Sequence, residues 1–349
     1  MKIKRDELYT CAIDVLLALG ETQENAIIAA ENFCQADSRG VITHGTYLLT
    51  PIFDRVQVNQ LSLPTTPTIV SDEAAVAIVD GGNGLGPVAG KFAVDLAVKR
   101  ASQFGISMVL IRNTNNVGSL SFYTEMIARQ GMVGMMSCNA APAMAPWGGT
   151  EAFTGTNPIA VGIYTGKDVL FSADMATSVV ARGKIRNAVK ANKPIPADWA
   201  LDSEGNPTTD PAAAMSGTLM PMGGPKGSSL ALAVDIISGI IAGGEHAPNI
   251  KTFHTPSGKT GVGASITAID IQKFTPLTQF AATMDEYVQT MKGMKKAKKT
   301  SEIYLPGEIE QRREASSRQN GVELDEKAVA ALNQLLEKVG SSKRLESMK

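Results

Sequence analysis

Apolar residues recur every three or four positions in the first part of the chain, at Leu8, Cys11, Ile13, Val15, Leu16 and Leu19, then at Ala26, Ile27, Ala30, Phe33 and Cys34. That period predicts two amphipathic helices, stopped by Gly20 and Gly40. A third helix is expected from His44, with Thr43 as its N-cap, to about Val58, before the proline-containing break at Leu63 to Pro67. From Thr68 the pattern changes to short runs that read as strands: TIVSDEAAVAIVDG, ISMVLIRN and GMVGMMSCN. Helical segments separate them around Val88 to Phe104 and Leu120 to Gln130. Two more strand-like runs follow, GTNPIAVGIY and DVLFSADMA, and a long apolar helix opens at Gly224. A strand is expected near Ile266 to Ile271, then a helix rich in Met and Lys, then a polar helical tail.

This alternation predicts an α/β layer beside a helical N-terminal part. A chain of 349 residues exceeds the size at which one core stops growing, so two or three structural units are expected. The charges nearly cancel, 33 basic against 34 acidic, which gives no field favouring nucleic acid or an anionic membrane and leaves small molecules as the expected ligands. The basic run Lys292 to Lys299 has no interleaved aromatics and reads as a solvated helix face. No apolar run reaches the roughly 18 residues of a membrane span, and the start of the chain fits an amphipathic helix better than a signal peptide. Cys11, Cys34 and Cys138 show no CxxC spacing, so neither a disulfide framework nor a zinc site is indicated, no metal is expected, and a reducing cytoplasm is the simplest compartment.

Four segments carry candidate chemistry. His44 is the only histidine before position 246 and sits in SRGVITHGT, a Gly-flanked turn. Such a turn either presents a group that exchanges protons near neutral pH or merely joins two helices. At the N-terminus of a helix, the dipole would keep the ring neutral. The cluster DGGNGLGPVAG at Asp80 to Gly90 follows a strand and precedes a helix, but its spacing is not G-x-G-x-x-G and no acidic residue ends a clear second strand, so it reads as a structural turn rather than a Rossmann fingerprint. GGPKGSS at Gly223 to Ser229 puts Lys226 beside the free N–H groups of a helix start, either as an anion site or as a solvated lysine. RNTNNVGS offers Asn115 and Asn116, which suit orienting a carbonyl or forming a turn and cannot transfer a proton.

Taken in order, DSRGVITHG, VDGGNGLG, IRNTNNVGS, APWGGTEAFTGTNPIA, DMATSVVARGKI, PADWALDSEGNPTTDP, GPKGSSLALAVDIISG and IYLPGEIEQRRE resemble the malate/L-lactate dehydrogenase family end to end. That family also contains ureidoglycolate, sulfolactate and diketogulonate dehydrogenases and a cyclic-imine reductase. The resemblance implies interconversion of a small 2-hydroxy acid and its 2-oxo acid with NAD or NADP. It implies a mixed-sheet, non-Rossmann α/β dinucleotide-binding domain over residues 66–305, beside a helical domain built from residues 1–65 and 306–349. Homodimers or higher homo-oligomers with sites at the subunit interface are implied as well. By the same resemblance His44 works next to the substrate, with Thr43 in the place of the usual serine. Cofactor contacts fall to Asn139 and Ala140, to Asp174, Met175 and Ala176, to Lys226, and to Pro306, Gly307 and Glu308. At Ala140 only a main-chain contact is inherited. Arg182 or Lys184 either meets a 2′-phosphate or faces solvent.

Two positions depart from the family pattern. Asn116 stands where several members carry a histidine that accepts the proton, and Leu48 stands where an arginine clamps the substrate carboxylate. Losing a bidentate guanidinium costs on the order of 1.5 to 3 kcal/mol of carboxylate binding. The expectation is an active oxidoreductase with an altered substrate whose pocket includes Leu48 and Asn116. The alternative is a member that keeps the cofactor and acts as a binding or regulatory module.

Overall fold

A computed structural model describes residues 1–348. The chain runs through β1 (Lys2–Ile3), α1 (Arg5–Ala18), α2 (Gln23–Ser38), α3 (Leu49–Gln57), β2 (Thr68–Glu73), β3 (Val76–Asp80), α4 (Gly86–Phe104), β4 (Ile106–Thr114), α5 (Ser121–Ala128), β5 (Met132–Cys138), β6 (Ile159–Ile163) and β7 (Phe171–Met175). It continues with α6 (Arg182–Ala191), β8 (Ala200–Leu201), α7 (Pro211–Ser216), β9 (Thr218–Leu219), α8 (Pro225–Asp235), β10 (Val262–Asp270), α9 (Leu277–Gly293), α10 (Glu308–Asn320), β11 (Val322–Glu323) and α11 (Glu326–Lys338).

One mixed sheet of seven strands, ordered β2-β3-β4-β10-β5-β6-β7, forms the α/β layer. Only β3 and β4 are parallel, joined by the crossover helix α4. The late strand β10 lies between β4 and β5, with Ile266 opposite Val109 on one side and Met136 on the other. Helix α4 lies close to the sheet because Ala89, Ala93, Ala97 and Ala101, spaced by four, are fully buried on one face. This is the mixed-sheet, non-Rossmann α/β fold that the motifs imply.

The helical layer gathers both chain ends. Leu8, Leu16, Phe33 and Ile52 share a core with Val329, Leu332 and Leu336, and Ile3 pairs with Val322 across β1 and β11. Gly20 and Gly40 follow α1 and α2 with φ of 98° and 78°, the left-handed values that close a helix and that glycine adopts without strain. A third, smaller core around Met144, Ile185, Ala200 and Leu219 joins α6, α7 and the β8–β9 pair, and nothing in the hydrophobic pattern marks it.

The expected third helix is corrected. Ile42–His44 and Thr46–Leu48 form two 3₁₀ turns, and α3 begins only at Leu49. Extended backbone at Gly45 (φ −90°, ψ −155°) breaks the helix, so Thr43 is not an N-cap and no helix dipole points at His44. The apolar helix after Gly224 is α8, continued as a π-helical turn over Ile236–Ile241, and β10 starts four residues before the expected strand.

Candidate active site

The turn carrying His44 is held by a carboxylate at the end of α2. Asp37 Oδ2 accepts hydrogen bonds from Thr46 N at 2.9 Å and Thr46 Oγ1 at 2.7 Å, inside a site where Asp37 is 3% exposed. Burial pushes its carboxyl up to about 6 while the two bonds from Thr46 oppose the rise. Gly45 has to lack a side chain, because a Cβ there would collide with the Asp37 carboxylate. Two residues beyond Asp37, the buried Arg39 donates to both oxygens of Glu125, at 2.6 and 2.8 Å, and to Glu314 at 2.8 Å. Glu125 also accepts from Ser172 Oγ at 2.7 Å, so the start of this turn is tied through Glu125 on α5 to β7 at the sheet edge.

His44 is half-buried, and Thr43 Oγ1 lies 3.0 Å from its Nδ1. In the tautomer that works as a base, Nδ1–H donates to Thr43 and Nε2 remains an acceptor. Loss of solvent holds the ring below its ordinary pKa, and the Asp174 carboxylate acts in the opposite direction. Asp174 is exposed near the end of β7, and its Oδ2 accepts from Ser119 Oγ at 3.0 Å and Ser121 N at 2.9 Å. Ser121 opens α5, and Ser119 belongs to the preceding β4–α5 loop, which also carries Asn116. Asn116 Oδ1 accepts from Gly118 N at 2.8 Å and so shapes that loop. The Asp80–Gly86 cluster supports the same loop: Asn115 Nδ2 donates to Asn83 O and Gly84 O, and Gly86 fits closely under the Asn116 carbonyl. It is a structural turn.

The remaining nominated residues divide by how their polar atoms are used. Leu48 is 1% exposed within the helical core and does not face the cleft; the second 3₁₀ turn directs it inward, which corrects its expected place in the pocket. Asn139 is 1% exposed and spends its amide on Glu245 O and Gly263 N, and Ala140 N already donates to Asn157 Oδ1 at 3.0 Å. Glu308, at the start of α10, accepts from Lys292 Nζ at 2.7 Å, Arg312 at 2.6 Å and Leu305 N at 2.9 Å. Pro306 O accepts from Ser172 N at 2.9 Å, and Gly307 presses against Ser172. Met175 and Lys226 are exposed, Ala176 is half-buried, and Lys226 stands in the first turn of α8 with no acidic partner among the described residues. Arg182 donates to Met215 O at 2.9 Å, whereas Lys184 faces solvent.

The sequence reading passed over three residues near His44. Tyr47 stacks obliquely on His254, with ring centroids 5.9 Å apart. His254 belongs to a loop fixed from beneath by Arg55, which is 0% exposed and donates to Phe253 O at 2.8 Å, Gly258 O at 2.9 Å and the carbonyl of Thr252. Arg186 lies on α6 and lines a cavity with Thr43, Tyr47, Asp37 and Asp325. With only three histidines in the chain, His254 was available to count, but nothing local linked it to a turn two hundred residues away. Among the described residues no group of three His, Cys, Asp or Glu side chains is placed to hold a metal ion.

Comparison with known proteins adds an independent line. A family model described as malate/L-lactate dehydrogenase matches residues 3–333. The chain is 37% identical over 340 residues to the L-sulfolactate dehydrogenase of Methanocaldococcus jannaschii, covering 97% of this chain and 98% of that protein. It is 34% identical over 322 residues to the (2R)-3-sulfolactate dehydrogenase (NADP(+)) of Chromohalobacter salexigens, covering 91% and 92%. It is 29% identical over 326 residues to the ureidoglycolate dehydrogenase (NAD(+)) of Escherichia coli strain K12, covering 93% of each. The solved structure of sulfolactate dehydrogenase from M. jannaschii superimposes with a TM-score of 0.92 at 36% identity, covering 98% of each chain.

Proposed function

This chain belongs to the malate/L-lactate dehydrogenase family, whose relatives are NAD(P)-dependent oxidoreductases of hydroxy acids, and on that premise we propose that it interconverts a small 2-hydroxy acid and its 2-oxo acid with His44 as the proton-transfer group. The observation that carries this reading is the half-buried imidazole tethered through Nδ1 to Thr43, with a carboxylate acting on it. A bound nicotinamide supplies the hydride acceptor. In oxidation His44 Nε2 takes the hydroxyl proton, and the imidazolium formed is stabilised by Asp174. In reduction the same proton returns to the carbonyl oxygen. Asn116 orients the β4–α5 loop and holds no proton.

The residues fit a dinucleotide unevenly. Lys226 and the first turn of α8 suit a phosphate, and Asp174, Met175 and Ala176 offer exposed or half-exposed groups beside the His44 turn. Asn139 and Glu308 act by shaping their segments, since their side chains are engaged internally. The test is purified protein with NAD+ and with NADP+ against 2-hydroxy and 2-oxo acids, sulfonates and cyclic imines. Turnover of a hydroxy acid is expected; cofactor binding without turnover of any compound would favour the binding-module reading.

Self-association as a homodimer or higher homo-oligomer is supported by an apolar face on α8 and the following π turn, where Leu230, Ile236, Ile240 and Ile241 are 41–58% exposed. Light scattering should give at least a dimer, and Ile240→Asp should shift it toward monomer. No helix of the described residues is long and apolar enough to cross a membrane. A cytoplasmic setting is in keeping with three buried, unpaired cysteines.

A further inference from the structure

Building on the hydroxy-acid reading, we propose that Asp37 is the positioning residue of the proton-transfer group: its buried carboxylate fixes the turn in which His44 stands, and the rate depends on that hold. The motif DSRGVITHG places Asp37, Arg39 and His44 in one stretch of chain, and only His44 has a task in the reaction. Arg39 is spent on Glu125 and Glu314, which joins α2 to α5 and α10. Asp37 is spent on the His44 turn itself.

The hydrogen bonds of the turn point to no other holder. His44 N donates to Val41 O at 2.9 Å, Gly45 N to Ile42 O at 3.3 Å and Leu48 N to Gly45 O at 3.0 Å, all within the turn. Thr43 Oγ1 reaches only the adjacent imidazole. Thr46, which is 1% exposed, carries the bonds that leave the turn among the described residues, and both end on Asp37 Oδ2. The carboxylate also occupies the space that a side chain on Gly45 would need. Gly45 and Thr46 directly follow His44, so the backbone that aims the imidazole is the backbone Asp37 holds.

Holding a turn in this way is costly, which argues for a purpose beyond folding. Asp37 is 3% exposed, and the groups acting on it are the two donors of Thr46 rather than a cation. A buried carboxylate without a countercharge is disfavoured even when it is hydrogen-bonded, and an uncharged side chain closes a turn at lower cost. What the carboxylate secures is a fixed imidazole, since displacing a reacting group by about 1 Å lowers a rate on the order of 100-fold. The same two 3₁₀ turns set Tyr47 against His254, with ring centroids 5.9 Å apart, so loss of Asp37 is felt at both histidines. His246 lies apart, packed beside Gly239.

The test measures kcat, KM and cofactor Kd for Asp37→Ala, Asp37→Asn, Thr46→Val and His44→Ala, and records the histidine ring signals by NMR. Asp37→Ala is expected to lower kcat about 10- to 100-fold, with KM and cofactor Kd within about threefold. Asp37→Asn keeps an acceptor oxygen for Thr46 and should recover most of kcat; Thr46→Val, which loses the hydroxyl donor and keeps the N–H, should fall between. In the His44→Ala background Asp37→Ala should cost less than about threefold more, because residues that act through one imidazole are not additive. Of the three histidines, His44 and His254 should change their ring signals in Asp37→Ala while His246 keeps its own. Parent-like kcat in Asp37→Ala beside a strongly impaired His44→Ala overturns the proposal while the hydroxy-acid reading stands. A full additional loss in the His44→Ala background also overturns it, since Asp37 would then act independently of the ring. Should Asp37→Ala not fold, Thr46→Val decides: parent-like kcat with an unmoved His44 signal overturns the proposal. A parent that turns over no hydroxy acid overturns the hydroxy-acid reading; a displaced His44 signal in Asp37→Ala then still supports the hold on the turn, and an unmoved one overturns both.

Discussion

The turn around His44 and the turn before α10 use the same parts to different ends. Each has a glycine at its bend, Gly45 or Gly307, and a buried carboxylate that accepts a backbone N–H at 2.9 Å, Asp37 from Thr46 or Glu308 from Leu305. In the first, Asp37 does the holding, and the neighbouring His44 keeps Nε2 free for chemistry. In the second, the nominated residue Glu308 is itself the holder, clamped between Lys292 and Arg312. The two turns thus differ in whether the motif residue or its neighbour does the holding.

The largest expected effect separates the turns directly. His44→Ala should lower kcat by about 100- to 10,000-fold, the range of general acid–base groups, with cofactor affinity nearly unchanged in a fluorescence titration. Parent-like kcat would put His44 on the same footing as Glu308. Next, Lys226→Ala should weaken cofactor binding about 5- to 10-fold, as expected for one exposed cation at a helix start, and should alter kcat much less. An unchanged cofactor Kd would remove Lys226 from the binding surface.

Glu308→Gln tests the structural turn. Its ion-pair partners are partly exposed, so solvent screening limits the loss to about 1 kcal/mol, read as a few degrees of Tm. The carboxyl is held below its ordinary range by Lys292, Leu305 and Arg312 against the opposing effect of burial. Its contribution is thus present at neutral pH and is lost as pH falls through the lowered value. A large rise in cofactor Kd with Tm intact would show that Glu308 works on the cofactor after all. The smallest effect concerns Asp174→Asn. Removing this charge takes away the influence that raises the His44 pKa, so the acid limb of the pH–rate profile for oxidation should move to lower pH. A limb that moves upward, or stays fixed, would break the link between β7 and the His44 turn.

The sequence by itself determined much of this protein. Local periodicity specified α1, α2, α4 and most strands of the sheet, because helix and strand impose different repeats on any residue that must face a core, whereas the single run from Thr68 divides at Ala74 into the antiparallel pair β2 and β3. Ordered motifs specified the family and the non-Rossmann fold. The break at Gly45 was hidden, since helical spacing continues through it and only the Asp37 carboxylate, brought close in three dimensions, requires the bend. Leu48 was expected in the pocket because position was read without direction, and it is buried in the helical core instead. The stacking of Tyr47 on His254 depends on the His44 turn meeting the loop held by Arg55, and the influence of Asp174 on His44 depends on the sheet edge lying beside that turn. Whether a polar atom is spent internally or left for a ligand is set by partners far away in the chain, and tertiary packing alone brings those partners together.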